Sequence, residues 1–278
     1  MARKARLLQW SAGAFFLAVV CSIFPLHTIA TPLSGILCPM VMPLNAPRSP
    51  VELSQAYLKA VKAGQDTEGI RQALAGLTVN ELQAALQQQS RRQAFWINLY
   101  NALAQESLNK ETMQQASARN KAFRKKRLTV AGNQMSLNDI EHGMLRKSNL
   151  LWGLGFLRNP FPGSFERRLR VHTLDPRIHF ALNCGAASCP PIHFYEPDQL
   201  SRQLDRATMN YLHQMVEKDH QRVKLPKVFS WFRGDFGGKE GIYTFLRRYE
   251  LIAPTERPAL AFQGWDWSPQ LGKFSSLE

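Results

Sequence analysis

At 278 residues the chain is long enough for one large domain or two small ones, and with 45% apolar and 20% charged residues it is not an intrinsically disordered protein. Thirty-five Lys and Arg against 21 Asp and Glu give a formal charge of +14, which favours anionic partners: lipid head groups, acidic polymers or nucleic acid.

The N-terminus shortens that list. "MARKAR" is a positive leader, Trp10 to Phe24 is a fifteen-residue apolar run, and Thr28 and Ala30 stand at the −3 and −1 positions of a cleavage site. Residues 1–30 therefore read as a secretory signal peptide, since the run falls short of the roughly 20 residues of a spanning helix. The alternative is an uncleaved N-terminal anchor in the inner membrane, with membrane contact through residues 7–29. Cys21 is not a lipoprotein acceptor, because Val20 occupies a position that needs a small residue. On either reading the body of the protein is exported, to the periplasm or beyond. Without Arg3, Lys4 and Arg6 the remainder still holds 32 basic against 21 acidic residues. An anionic envelope component or another envelope protein is then the expected partner, and nucleic acid is not. After cleavage Cys38, Cys184 and Cys189 remain in a compartment that permits disulfides, and the odd count leaves a free thiol or an intermolecular bond.

Pro32, Pro39, Pro43, Pro47 and Pro50 make residues 31–50 an extended tether. Residues 51–278 form the globular domain. "VELSQAYLKAVKAG" carries an apolar stripe at helical spacing and stops at Gly64; "TVNELQAALQQQS" is a second helix, capped by Thr78 or Asn80. "RRQAFWINLYNALAQESL" is apolar almost all round, the pattern of a buried helix. The cations from Arg119 to Arg127 read as a solvated loop ahead of a short strand, "RLTVAG", with an anionic docking site at Lys121 to Arg127 as the alternative. In "SLNDIEHGMLRK", Ser136 and Asp139 form a capping box, with Leu137, Ile140, Met144 and Leu145 facing inward. "GLGFLRNPFPGSFERR" reads as loop and "RIHFALN" as the best strand in the chain. Residues 198–217 are a helix; "VKLPKVFSWFRGDFGG" gives a strand, a helical turn and a Gly-rich loop; "KEGIYTFLRRYE" is the last helix, and the aromatic tail packs back. Helices around a few separated strands give an α+β class: a helix-rich single domain around a small β-sheet.

"IHFALNCGAASCPPIHFY" holds the densest chemistry, and four readings of its cysteines stand side by side. Cys184 or Cys189 is a nucleophile in an electropositive niche, with His142 as its base, since strand alternation points His179 away from Cys184. The two form a disulfide across the small residues "GAAS". With His179 and His193 they bind zinc, although the spacing lacks a C-x2-C knuckle. Or they are buried thiols acting as small hydrophobes. No metal and no cofactor is expected. Two other features fit their local structure poorly. Asn98 and Asn101 sit in an otherwise apolar helix, where they either tie loops to it or line a polar cleft. Glu141 is either a carboxylate paired with Arg146 or Arg177, or an acid/base partner of His142.

"RRQAFWINLYNAL", "SLNDIEHGMLR", "DPRIHFALNCGAASCPPI", "DRATMNYLHQ", "FSWFRGDFGG" and "WDWS" occur in an order that resembles the family catalogued as domain of unknown function 547, over about residues 85–270. The resemblance implies that Asn98, Asn101, Glu141, His142, Asp175, Arg177, His179, Cys184 and Cys189 belong to the family signature, and leaves His193 outside it. It implies export in bacteria, and no assigned activity. Cys184, Cys189, His142, Glu141 and His179 are then the candidate catalytic groups; Asn98, Asn101, Asp175, Arg177 and Asn183 are candidate substrate-binding groups. The expected activity is a thiol-dependent hydrolase or transferase acting on peptide or amide bonds, with a non-catalytic binding or scaffolding domain as the alternative. A buried helix followed by a strand bearing His is also loosely similar to papain-like and transglutaminase-like folds. In those the nucleophilic Cys begins the helix, whereas "RRQAFW" has none.

Overall fold

The computed structural model describes residues 49–219 and 221–277; the leader and the tether expected at residues 1–48, Cys21 and Cys38 among them, lie outside the described residues. Ten α-helices, a π-helix, a 3-10 helix and five short strands make up this region. The first half is helical: α1 (Pro50–Lys62), α2 (Glu68–Gly76), α3 (Val79–Ala85), α4 (Gln89–Ser107), α5 (Lys110–Gln114) and α6 (Ala116–Arg124). Two strands follow, β1 (Leu128–Val130) and β2 (Asn133–Met135), then the π-helix Asp139–Leu145, α7 (Ser164–Leu169) and the 3-10 helix Pro176–Phe180. The chain ends with α8 (Leu200–Met215), β3 (Glu217–Lys218), β4 (Arg222–Leu225), α9 (Val228–Trp231), α10 (Gly238–Arg248) and β5 (Ala259–Phe262). The class is α+β, with an antiparallel β1–β2 pair and a sheet of order β3–β4–β5, in which β4 and β5 run parallel.

Helix α4 is the axle. Every residue from Arg92 to Ala104 is buried, and α1 packs along it. Most of its polar residues survive burial because they have partners, the Gln93 amide nitrogen being an exception. Trp96 donates its indole N–H to the Leu169 carbonyl (2.9 Å), and Arg92 bonds the carbonyls of Leu86 and Arg170. Of the two caps expected for the second helix, Thr78 is the one used, in a capping box with Glu81 on α3; α1 starts with a capping box of its own, Ser49 with Glu52. A second core, rich in aromatic residues, gathers Phe180, Phe229, Phe236 and Phe245 between α8, α9 and α10. Among the described residues no helix is long and apolar enough to cross a membrane.

Three sequence expectations are corrected. "RIHFALN" is not a strand: Asp175 caps the 3-10 helix by accepting the Arg177 N–H (3.0 Å), Pro176 occupies its first turn, and the segment joins neither sheet of the described residues. Strand alternation consequently fails, and Ile178 and Phe180 go to different cores instead of sharing a face. "SFERRL", read as loop, is α7. The basic run begins in helix and not in loop: Arg119 is buried against Trp267, its guanidinium 3.7 Å from the ring centroid, and bonds the Met113 carbonyl, while Lys121, Arg124, Lys125 and Lys126 stay exposed.

Candidate functional site: a cavity around an Asp–His pair

The π-helix builds the first part of the site. Ser136 and Asp139 exchange the reciprocal bonds of a capping box (Ser136 N–H to Asp139 Oδ2, 2.8 Å; Asp139 N–H to Ser136 Oγ, 3.1 Å). The Arg146 N–H then reaches back five residues to the Glu141 carbonyl (2.7 Å), and Ser148 to Gly143 (2.9 Å). That wider turn carries Glu141, His142 and Arg146 together; such turns recur at functional sites.

Arg146 is fully buried, and its charge is met by Asp235, a residue of the Gly-rich loop after α9, through Nε to Oδ2 (2.6 Å) and NH2 to Oδ1 (3.1 Å). Asp235, equally inaccessible, also accepts His179 Nε2–H (2.8 Å) and Asn149 Nδ2 (2.8 Å). Burial alone would raise the Asp235 pKa, but the bonds from His179 and Arg146 outweigh it and hold the carboxyl well below the usual range. The His179 ring stacks on Phe232 (centroids 4.2 Å apart, planes 6° from parallel), which fixes its orientation. With Nε2 committed to Asp235, Nδ1 is the nitrogen left to act.

His142 stands in a different state. Arg146 NH1 lies 2.8 Å from its Nδ1, and since a guanidinium only donates, Nδ1 accepts and the ring proton sits on Nε2. Burial, followed by the charges of Arg146 and His179, lowers its pKa to about 3, so the imidazole is neutral. Glu141 lies 3.8 Å from His142 Nδ1 and accepts the Tyr100 hydroxyl; burial raises its pKa, against the opposing charges of Arg146 and His179. Burial and the Glu141 charge push the Tyr100 phenol well above its ordinary value.

Tyr100, Glu141, His142, His179, Cys184 and Cys189 all line one cavity of about 370 Å³, shared with Trp231, Trp265, Trp267 and Phe232, and with Arg124 and Asn120 of α6. Cys184 and Cys189 are joined by a disulfide, with their Cα atoms 6.1 Å apart. Gly185 takes a left-handed φ of +81° there, and a Cβ on it would lie 2.9 Å from Leu271 Cδ2. The C-terminal tail runs beside this turn, with Ala187 N–H to Ser268 O (2.8 Å) and Gln270 N–H to Gly185 O (2.8 Å), and so delivers Trp265 and Trp267 to the cavity.

The candidate catalytic residues named from sequence therefore converge, although Cys184 and Cys189 enter as one bonded pair. The candidate substrate-binding residues do not. Asn98 donates to the Tyr195 carbonyl (2.9 Å) and accepts its N–H (3.0 Å); Asn101 does the same for Ala181 O and Asn183 N–H (both 2.9 Å). Both amides are completely buried and spent as staples, one helical turn apart, across the segment that carries the disulfide. Asn183 is a turn-builder, accepting the Gly185 N–H (2.8 Å) and donating to Pro190 O (2.7 Å). Asp175 pairs with Arg177, which also reaches Asp205, and the Asp175–Arg177 pair lines a separate groove beside α8. Of the two pairings expected for Glu141, neither guanidinium bonds it: Arg146 is taken by Asp235 and Arg177 by Asp175. The zinc set is dispersed, with His193 Nδ1 2.8 Å from the Ser275 carbonyl, and among the described residues no group of three or more His, Cys, Asp or Glu side chains is arranged to hold a metal ion.

Sequence reading missed Asp235 as the hub. "FRGDFGG" was its signal: a lone acid between glycines and phenylalanines, in a setting that buries it and so requires a charged partner. The cavity-lining roles of Tyr100, Trp231, Trp265 and Trp267 carried no comparable mark.

No curated protein and no solved structure matches the chain, so the likeness to papain-like and transglutaminase-like folds rests on sequence pattern alone. Residues 84–212, which hold Tyr100, the π-helix, His179 and both bonded cysteines but stop short of Asp235, match the family model described as "Protein of unknown function, DUF547".

Proposed function

We propose that the protein is an exported envelope protein whose cavity is an acid–base site, a hydrolase or transferase acting on peptide or amide bonds. The His179–Asp235 pair carries this reading: an imidazole oriented by a buried carboxylate, with its second nitrogen free, beside a cavity that also holds a neutral His142 and a carboxyl of raised pKa. A water or hydroxyl gives its proton to His179 Nδ1 as its oxygen bonds to the carbonyl carbon. The His142 Nε2–H stabilises the developing oxyanion, and His179 returns the proton to the departing amine as the carbon–nitrogen bond breaks. Thiol attack, the expectation from sequence, needs a thiolate that the bonded cysteines do not supply; here they form part of the cavity lining. The signal-like leader and the disulfide both support export. Exposed Arg124 at the cavity supports an anionic envelope component as ligand.

Turnover of peptide p-nitroanilides and N-acyl amino acid amides by the purified protein tests this. His179→Ala and Asp235→Asn should each lower kcat by about a hundredfold or more, while Cys184→Ser with Cys189→Ser should leave it largely intact. Turnover that appears only after dithiothreitol and is lost in Cys184→Ser would assign the reaction to the thiol instead. One observation favours the second reading, a binding or scaffolding domain: the His179 side chain is only 2% exposed, as a purely structural tie would be. That reading predicts saturable ligand binding with no turnover in any variant.

A further inference from the structure

Six of the seven large apolar side chains that stand exposed among the described residues fall between positions 151 and 161: Leu151 (49%), Trp152 (71%), Leu154 (50%), Phe156 (59%), Leu157 (47%) and Phe161 (87%). Exposed apolar residues are ordinary when scattered and informative when gathered. Nor is this segment loose chain. Leu150 N–H bonds Leu157 O (2.8 Å), Phe156 N–H bonds Gly153 O (2.8 Å) and Asn159 N–H bonds Ser148 O (2.7 Å). Gly234 N–H bonds Leu154 O (2.7 Å), so the loop is fastened to the segment that carries Asp235. The backbone is held while its apolar side chains are kept in water.

The surroundings are cationic. From Lys147 to Leu174 the chain carries Lys147, Arg158, Arg167, Arg168 and Arg170 against a single acid, Glu166. Arg158, Arg167 and Arg168 are exposed, and Arg167 bonds the Pro162 carbonyl (2.7 Å), which keeps it at the root of the loop. Trp, Phe and Leu beside Arg and Lys is the composition of a bilayer interface, where rings enter the head-group region and cations meet anionic lipid. A chain of +14 opposes pairing of this face with a second copy. We propose that residues 151–161 are an interfacial loop that seats the protein on an anionic lipid surface. Leu151 and Leu154 also line the cavity, so seating brings the cavity opening to the lipid. The inference holds whether or not the cavity is catalytic.

Hydrogen exchange of the full chain, with vesicles of phosphatidylglycerol and phosphatidylcholine or of phosphatidylcholine alone, reads this loop separately from the N-terminal apolar run. Amides 150–161 should slow by about tenfold or more with the anionic vesicles. They should slow much less with phosphatidylcholine alone, and should recover at about 0.5 M salt, where surface charge is screened. Trp152→Ser with Phe161→Ser alters only exposed side chains and should abolish the slowing; Arg158→Glu should weaken it. Unchanged exchange at 150–161 with anionic vesicles overturns the proposal. So does equal slowing by both vesicle types, or slowing without vesicles that grows with protein concentration, which would make the partner another protein.

Discussion

Removing the Asp235 carboxylate should damage the fold more than any other single truncation in the site. Asp235→Ala leaves the Arg146 guanidinium buried without a counter-charge and His179 without its acceptor, and it orphans the Asn149 amide. Breaking a buried ion pair from one side costs about 3–5 kcal/mol, because the surviving charge stays desolvated. That is a large share of the 5–15 kcal/mol that typically holds a domain together, and for a domain of this size it corresponds to a fall in Tm of roughly 6–20 °C. Urea unfolding followed by circular dichroism measures it. The pH dependence supplies an independent check. The folded pKa of Asp235 lies below its ordinary 3.8, so its stabilisation is present above that value and disappears as pH falls through the lower, folded-state pKa. Wild type should therefore lose stability below about pH 4 by an amount that Asp235→Ala does not lose. A loss under about 1 kcal/mol at pH 7, the level of an exposed pair, would refute this reasoning, since it would mean that Arg146 reaches water or another acceptor.

His142 titrates in a different window: its pKa falls from 6.5 to about 3 on folding, so its contribution is present above pH 6.5 and is lost as pH drops toward 3. Replacing it with Gln should flatten the acid limb of the stability curve over that range, measured by unfolding at a series of pH values. Glu141 has the opposite sign, since its raised pKa favours the fold below 4.5 and disfavours it as pH rises through the folded value; Glu141→Gln should be the more stable protein at pH 7 in the same assay. Asn98→Ala strands the buried N–H of Tyr195, whose carbonyl keeps a bond from Gln55 (3.2 Å), at about 1–3 kcal/mol, read from denaturant midpoints; Asn101→Ala strands the Asn183 N–H likewise. Cutting the Cys184–Cys189 bond opens a loop of only a few residues, so Cys184→Ser with Cys189→Ser should cost about 2 kcal/mol, and reductant should then have no further effect on unfolding.

Helices were legible where a face or a whole surface is buried. The all-round apolarity of α4 could only mean a helix enclosed on every side, and Thr78 with Glu81 marks a helix start that involves only local atoms. The failures lie where tertiary contacts choose between local alternatives. "RIHFALN" has the composition of a strand, but a strand needs a neighbour to pair with, and Asp175–Pro176 starts a tight helical turn immediately before it. α7 is too short for periodicity to show.

The site was half legible, and the boundary has a physical cause. Glu141, His142, His179 and the cysteines stood out because polar groups beside apolar stripes need partners, and each of them does line the cavity. What sequence could not supply was the partner. Asp235 lies 56 residues from His179 and 89 from Arg146, and no local pattern encodes a contact of that span. Gly155 shows how narrowly the contact is fitted. Its φ is +86°, and a Cβ there would lie 2.4 Å from Asp235 Oδ1. Gly155→Ala must therefore push the loop off the carboxylate or strain its own backbone, so a residue that bears no chemistry governs the geometry of one that does. Its expected signature is a weakened His179–Asp235 hydrogen bond, visible as an upfield shift of the His179 Nε2 proton, with the Asn98 and Asn101 staples unaltered. An unshifted proton would mean that the loop yields and the Asp–His pair holds without it.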